Sequence, residues 1–301
     1  MRTVYLGTSD FAAAVLERLA GSPHRPALVV TRPDRPAGRG RRMQSPPVAT
    51  AAHALGLDVA QPDDVNAETA RAQIAAASPE AVIVCAFGAL IKEPLLSEHA
   101  MLNVHPSLLP RWRGAAPIER AIMAGDEETG VAIMRVTAGL DSGPVCLIER
   151  EPIRADDTYG TLAPRLAELG ATLLLRALDT SPPFAEQDDA AATYAEKITA
   201  ADRLLDPAAR TAAELDRTVR ALAPHVGARL GLPDGSFLGV LGARPGDGAA
   251  REPGTLHTDD DRLLLATADG ALELTTVQPP GKRPMPAADY LRGHALSRPA
   301  R

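Results

Sequence analysis

Three polar residues, Asn103, His105 and Asp141, have the side chains that acyl transfer to an amine requires. A neutral histidine accepts a proton, a carboxylate orients its ring and stabilises the imidazolium, and an asparagine amide donates to a developing oxyanion. An incoming amine loses a proton as it attacks a carbonyl carbon, and the tetrahedral oxygen that forms has to be stabilised. No activated serine or cysteine is evident in the sequence, so we expect direct transfer between two bound substrates rather than a covalent acyl-enzyme.

The surrounding sequence places these three residues near strand ends. Asn103 lies in the strand-like run Met101–Val104 and His105 directly follows this run, and alternate side chains along a strand share a face. Asp141 follows the strand-like run Gly130–Val136 and lies between glycines. Because open α/β sheets bind ligands at the carboxyl ends of their strands, we expect the three side chains to meet there. A plainer alternative stays open, since a histidine beside a proline turn and an aspartate between glycines are more often structural.

Strand and helix patterns alternate over the first part of the chain, which predicts an α/β domain with a mostly parallel sheet. A polar, breaker-rich stretch is typical of a linker, and the short strand-like runs that follow it favour a small barrel, with an OB-like barrel as one candidate, or a sandwich. We therefore predict domains over residues 1–180 and 206–301, joined by a linker over 181–205. The predicted strands are Thr3–Leu6, Ala27–Thr31, Ala81–Ala86, Met101–Val104, Gly130–Val136, Gly227–Leu230, Phe237–Leu241, Gly254–Leu256, Arg262–Thr267 and Ala271–Val277, and the predicted helices are Phe11–Leu19, Pro47–Leu55, Ala67–Ala77, Ala116–Ala124, Asp157–Leu178 and Ala212–Ala221.

The 301 residues carry a net charge of −6, which ordinarily argues against a nucleic-acid partner. The segment Arg32–Arg42 is an exception, because it holds five arginines and one acid. It is either a solvated loop or a contact for phosphates. No apolar run reaches the roughly 20 residues that span a bilayer, and no leader pattern precedes the first strand, so we expect a cytoplasmic protein without a membrane partner. The two cysteines lack zinc-site spacing, and we expect no metal.

Five motifs occur in order over about the first 200 residues, and together they closely resemble the folate-dependent formyltransferase family, in particular its tRNA-acting members. That resemblance implies a Rossmann-like domain that binds 10-formyltetrahydrofolate and a C-terminal OB-like domain. It also implies transfer of the formyl group to the α-amino group of methionyl-initiator tRNA, for translation initiation. The motifs are Gly7-Thr8-Ser9-Asp10-Phe11, the segment from Arg32 to Gly40, the segment from Asn103 to Ile118, Gly139-Leu140-Asp141-Ser142-Gly143 and Thr193-Tyr194-Ala195-Glu196-Lys197.

The resemblance also implies site residues. Asn103, His105 and Asp141 match the catalytic set of the family, and no protein partner is implied, so we expect a monomer. The matching folate-binding residues are Ser107, Leu108, Leu109, Pro110, Phe87, Gly88 and Leu90. The matching tRNA-binding residues are Arg35, Arg39, Arg41, Arg42 and Lys197, and Phe11 matches a methionine pocket.

Other family members remain as alternatives: glycinamide ribonucleotide formyltransferases, sugar-nucleotide formyltransferases and the hydrolase domain of formyltetrahydrofolate dehydrogenase. An inert RNA-binding module is an alternative of a different class, which the retention of all three polar residues argues against. Two positions depart from the family pattern, Ala200 in place of a basic residue and His225 in place of tryptophan. From Leu204 to Arg301 the chain has 12 basic and 12 acidic residues, where a basic RNA-binding face is expected.

Overall fold

A computed structural model describes residues 1–37, 42–248 and 251–294. The chain divides into two units. Unit 1 consists of Met1–Pro117, Glu128–Pro152 and Ala163–Glu196, and unit 2 of Ile118–Glu127, Ile153–Leu162 and Lys197–Arg301. The predicted division at residues 180 and 206 stays a prediction.

Most of the first two hundred residues alternate between strands and helices, as the sequence predicts. The predicted helix and strand bounds in this region agree with the structure to within about two residues. The elements are β1 (Thr3–Gly7), α1 (Asp10–Ala20), β2 (Pro26–Val30), β3 (Arg35–Ala37), β4 (Arg42–Gln44), α2 (Pro47–Ala54), β5 (Val59–Ala60), α3 (Glu68–Ala76), β6 (Ala81–Cys85), α4 (Leu95–Glu98), β7 (Met101–His105), β8 (Arg113–Gly114), α5 (Pro117–Ala124), β9 (Glu128–Arg135), β10 (Val145–Pro152), α6 (Tyr159–Thr180), a 3₁₀ helix (Asp189–Ala191) and β11 (Tyr194–Ala195).

The central sheet of unit 1 confirms the Rossmann-like fold with a mostly parallel sheet. Its strand order is β10-β9-β7-β6-β1-β2-β5. The five neighbouring strands β7, β6, β1, β2 and β5 run parallel, whereas β9 is antiparallel to β7 and β10 is antiparallel to β9. All five residues of β1 are buried, as expected for a central strand whose two faces are both covered.

Strand β10 was not predicted from the sequence. Only the first half of this strand, Val145–Ile148, is apolar, and the charged residues Glu149-Arg150-Glu151 follow. The strand lies at the edge of the sheet, where charged side chains protect an open row of backbone groups from pairing with other chains. An edge strand of this kind lacks the apolar pattern from which buried strands are recognised.

Helix α1 begins directly after a serine that caps its first turn. Ser9 is the N-cap residue, and its hydroxyl accepts a hydrogen bond from the Ala12 amide, while Asp10 supplies a negative charge in the first turn. The apolar face of the helix is buried, with Val15 and Leu16 fully inaccessible. The loop between β1 and α1 is thereby held in place beside the carboxyl end of β1.

Unit 2 contains a C-terminal domain of antiparallel strands, in agreement with the predicted class. Alternate residues of β15 and β16 share a face, and Leu263, Leu265 and Leu274 pack in one core with helix α7. The strand predicted at Gly254–Leu256 instead begins at Leu256, because Gly254 has φ +92 and lies in a turn. The elements are α7 (Ala212–Leu222), β12 (Ala228–Gly231), β13 (Phe237–Gly246), β14 (Leu256–Asp259), β15 (Arg262–Ala266), β16 (Ala271–Gln278), β17 (Met285–Pro286) and α8 (Ala287–Gly293), with sheet order β12-β13-β16-β15-β14 and β17 paired to β16.

Helix α7 has a complete capping box. The Thr211 side chain accepts from the Glu214 amide, and the Glu214 carboxylate accepts from the Thr211 amide. Two backbone donors at the start of the helix are thereby satisfied.

Among the described residues, no helix combines the length and the apolar character needed to cross a membrane.

Asp202 provides a test of stability in unit 2. Burial disfavours its charged form, but hydrogen bonds from Arg120 at 2.6 Å and from Thr199 hold the pKa of this carboxyl at about 2. The folded-state pKa lies below the ordinary value, so the stabilisation is present above about pH 4 and is lost as the pH falls to about 2. We expect Asp202→Asn to lower the free energy of unfolding at pH 7 by about 1 kcal/mol after solvent screening.

The measurement is urea unfolding at neutral pH and again near pH 3, where the difference between wild type and Asp202→Asn should shrink. Asp261→Asn, at an exposed residue, is the control. A difference that is the same at both pH values would contradict the assignment.

Candidate active site

The side chains of Asn103, His105 and Asp141 lie together in unit 1. The Asn103 Nδ2 donates to Asp141 Oδ1 at 3.2 Å, and the Gly114 amide donates to Asp141 Oδ2 at 2.9 Å. The His105 Nδ1 lies 3.7 Å from Asp141 Oδ2. His105 is 4% exposed, and the other two side chains are half-buried. Asp141 therefore connects an amide, a backbone N–H and an imidazole around one carboxylate.

The path of the chain to Asp141 differs from the expected one. Asp141 was expected near His105 because parallel strands end at the same edge, but β9 runs antiparallel to β7. Arg135, at the end of β9, lies opposite Leu102, near the start of β7. The loop that follows β9 carries Asp141 to Asn103 and His105, so the convergence was predicted correctly for the wrong reason.

The hydrogen bonds of His105 define its neutral tautomer. Nε2 lies 3.0 Å from the carbonyl oxygen of Trp112. Since a carbonyl oxygen only accepts, Nε2 carries the hydrogen and Nδ1 carries the lone pair. At 3.7 Å the Nδ1 to Asp141 separation is too long for a direct hydrogen bond. Nδ1 is therefore the atom of the neutral ring that can take up a proton, and a proton there would face the carboxylate.

The turn after β7 is held by its own polar groups. The Ser107 hydroxyl donates to the Arg111 carbonyl at 2.7 Å, and the Arg111 amide donates to the Leu108 carbonyl at 3.0 Å. Leu109 and Pro110 line a cavity of about 360 Å³ together with residues 145–148, Pro183 and residues 185–188. This turn thus presents Leu109 and Pro110 beside an open cleft while Ser107 is fully buried.

The second predicted folate segment follows β6. The Phe87 side chain is buried in the core with Val4 and Leu6, and its carbonyl accepts from the Thr8 hydroxyl at 2.7 Å. Gly88 has φ +73, and Leu90 is 66% exposed. Phe87 therefore stabilises the segment through its ring, while Gly88 and Leu90 are exposed and open to a ligand.

The remaining predicted contacts are spread over the surface and the core. Phe11 is buried on α1. Arg35 and Arg42 are exposed on the antiparallel strands β3 and β4, and Lys197 is exposed in unit 2. Arg39 and Arg41 lie outside the described residues. Within the described ranges, no group of three histidine, cysteine, aspartate or glutamate side chains is placed to hold a metal ion.

Two site residues were missed from the sequence because their contribution is through the backbone. The Gly114 amide and the Trp112 carbonyl contact Asp141 and His105, and neither residue type indicates this. Both lie in the segment between β7 and α5, where β8 pairs with β11. The Thr193 hydroxyl accepts from the Trp112 amide at 2.9 Å, so the last of the five motifs supports the third.

The chain, whose sheet brings an asparagine, a histidine and an aspartate together beside β7, belongs to the formyl transferase family. The Formyl transferase model matches residues 1–178, and the model of the Formyl transferase C-terminal domain matches residues 197–295. Within that family, the chain is similar to methionyl-tRNA formyltransferases. It is 45% identical over 304 residues to that of Halorhodospira halophila, covering 98% of this chain and 97% of the relative. It is 43% identical over 300 residues to that of Dechloromonas aromatica, covering 99% and 97%.

Solved structures agree on the fold. HypX from Aquifex aeolicus in complex with tetrahydrofolic acid superposes with a TM-score of 0.68 at 18% identity, covering 97% of this chain and 47% of that chain. A methionyl-tRNA formyltransferase from Clostridium thermocellum superposes with a TM-score of 0.62 at 13% identity, covering 83% and 95%. At these identities the likeness concerns the fold alone.

Proposed function

We propose that the protein transfers the formyl group of 10-formyltetrahydrofolate to the α-amino group of methionyl-initiator tRNA, giving N-formylmethionyl-tRNA for translation initiation. The observation that carries this is identity of 43% over 99% of the chain to a protein of that name, and the amide, imidazole and carboxylate lie together in the structure. The donor and the acceptor are both substrates, and the reaction needs no resident metal.

The reaction transfers the formyl group in one direction and one proton in the other, from the amine to N10 of the folate. The amine nitrogen forms a bond to the formyl carbon, and the bond from that carbon to N10 of the folate breaks. The amine loses a proton, and N10 gains one. A tetrahedral intermediate with a negatively charged oxygen lies between the two steps, and a positioned base and an oxyanion donor lower its energy.

His105 and Asn103 are suited to these two tasks. The lone pair of His105 Nδ1 takes up the amine proton, directly or through water, and the imidazolium that results faces Asp141 Oδ2. One N–H of the Asn103 amide donates to Asp141, which leaves the second N–H for the oxyanion. Asp141 orients the asparagine and stabilises the protonated histidine, so all three act as one unit.

The donor binds beside the turn at Ser107–Pro110 and the segment of Phe87, Gly88 and Leu90. Support comes from the open cleft next to Leu109 and Pro110 and from the exposed backbone of Gly88. Phe11 belongs to the pocket of the methionine side chain.

Acceptor choice is the direct test of the proposed function. The purified protein is incubated with 10-formyltetrahydrofolate and, in parallel, with methionyl-initiator tRNA, glycinamide ribonucleotide or a nucleotide-linked amino sugar. We expect formylation of the tRNA alone. Formylation of another acceptor would reassign the enzyme within its family, and folate binding without turnover on any acceptor would favour an inert module.

The arginine-rich segment is proposed to contact the tRNA. We expect the double substitution Arg39→Ala with Arg41→Ala to lower kcat/KM for the tRNA and to leave folate binding unchanged. The slope of log kcat/KM against log salt concentration should become shallower by about two, one for each lost phosphate contact. The measurement is kcat/KM against salt concentration. The matched control removes Arg18 and Arg176, two half-exposed arginines that pair with Glu168 and Glu149. An unchanged salt slope would remove the segment from the interface. Arg35, Arg42 and Lys197 are proposed as further contacts.

The protein is proposed to act as a monomer in the cytoplasm, where aminoacylated initiator tRNA is used. Every group proposed to do chemistry comes from unit 1 of a single chain, which supports a site complete without a second copy. Sedimentation at the concentration of the activity assay tests this, and a dimer under those conditions would contradict it.

A further inference from the structure

Gln187 connects the loop of Asp141 to the rest of unit 1. Its side-chain Nε2 donates to the backbone carbonyl of Asp141 at 2.8 Å and to that of Gly143 at 2.7 Å. It therefore spans both ends of the short turn that carries the carboxylate. Gln187 lies in the segment predicted as a linker, and no motif of the sequence includes it.

The orientation of the Gln187 amide is determined by Arg113. The Arg113 Nε donates to Gln187 Oε1 at 3.0 Å, and its Nη2 donates to Asp189 Oδ1 at 2.7 Å. The guanidinium only donates and the two loop carbonyls only accept, so the amide has a single orientation that satisfies all three. The Arg113 side chain is 4% exposed, and a guanidinium at this depth has to remain paired.

The turn that Gln187 holds has an unfavourable backbone. Asp141 has φ +44, in the left-handed region that disfavours residues other than glycine. Such a conformation persists where surrounding contacts stabilise it. The carbonyl of this same residue accepts the hydrogen bond from Gln187, and its carboxylate accepts from Asn103 and from the Gly114 amide.

We propose that Gln187 is a positioning residue for Asp141, with Arg113 orienting it. The two donations hold the turn where both carboxylate oxygens reach their partners, and Gln187 itself does not touch the reacting atoms. The inference rests on the proposed function for its kinetic consequences, whereas its structural consequence is measurable without substrate.

The test compares Gln187→Met with Gln187→Glu. Methionine keeps the length and removes all hydrogen bonds, while glutamate keeps the acceptor for Arg113 and removes the donors. We expect kcat to fall about tenfold or more in both variants, since a displacement of about 1 Å in a catalytic group is this costly. KM for the folate and the tRNA should change by less than kcat, because the two donations of Gln187 hold the Asp141 turn, whereas Gln187 is only one of the residues that line the cleft next to Leu109 and Pro110. Gln73→Met, at an exposed glutamine of α3, is the matched control.

A second measurement follows backbone amides by hydrogen exchange in the absence of substrates. We expect the Gly114 amide, which donates to Asp141, to exchange about tenfold faster in Gln187→Met. The neighbouring amides of Arg113 and Ala115 donate to the carbonyls of Thr193 and Ala195 and should keep their rates. This pattern would show a local release of the carboxylate.

Each outcome supports or overturns the assignment. An unchanged kcat in both variants overturns it. Faster exchange at Gly114, Arg113 and Ala115 alike, or failure of both variants to fold, makes Gln187 a general folding residue and also overturns it. If the wild type formylates no tRNA, the proposed function fails, while selective exchange at Gly114 still supports the positioning role.

Discussion

Replacing Asp141 by asparagine is expected to lower kcat for formyl transfer on the order of a hundredfold or more. One oxygen of Asp141 accepts from Asn103 at 3.2 Å, and the other accepts from Gly114 at 2.9 Å. A carboxamide has a single acceptor oxygen, so one of these donors must face an NH₂ group. The imidazolium formed at His105 also loses its counter-charge, and the variant therefore loses both the geometry and the electrostatic support of the transition state.

Single-turnover measurements with methionyl-initiator tRNA separate this effect from binding. His105→Ala should lose a similar factor, and the double variant should lose little more, because residues that act as one unit are not additive. Asp58→Asn, at an exposed residue, controls for the change of charge. Near wild-type turnover in Asp141→Asn would remove the carboxylate from the mechanism.

The chemistry of the site could be predicted because it depends on side-chain types. Asn103 and His105 lie two residues apart on a strand, and the alternation of strand side chains places them on the same face. Asp141 was recognised by its type and its glycine neighbours. Its path could not be predicted, because the direction of β9 is decided by pairing with β7 and β10 rather than by its own sequence.

The supporting layer of the site could not be predicted for a different reason. Gln187 lies 46 residues from Asp141 in the sequence, and Arg113 lies 76 residues from Asp189. Neither separation has a local sequence signature. The composition of residues 181–205, polar and rich in proline and alanine, indicates only a linker. The structure places Gln187 and Asp189 in unit 1.

Gly143→Ala is expected to damage both the stability of unit 1 and the activity. A Cβ at this position would lie 2.0 Å from the Arg135 carbonyl oxygen and 2.9 Å from the Thr137 side chain. The oxygen belongs to the backbone of β9, whose Arg135 amide donates to the Pro144 carbonyl at 2.9 Å, so it has little room to move. We expect the free energy of unfolding to fall by about 1–3 kcal/mol, as for other overpacked sites.

The same strain should also lower the rate of formyl transfer, because the Gly143 carbonyl accepts from Gln187 at 2.7 Å within the turn that carries Asp141. We expect kcat to fall by about tenfold or more in protein that remains folded. Hydrogen exchange of the β9 amides measures the stability of unit 1, and single turnover measures the chemistry. Gly231→Ala is the matched control, since its Cβ would meet nothing within 4 Å. If Gly143→Ala kept both wild-type protection and wild-type kcat, the turn would have to be looser than these contacts allow, and the tight fit would no longer explain how Asp141 is held.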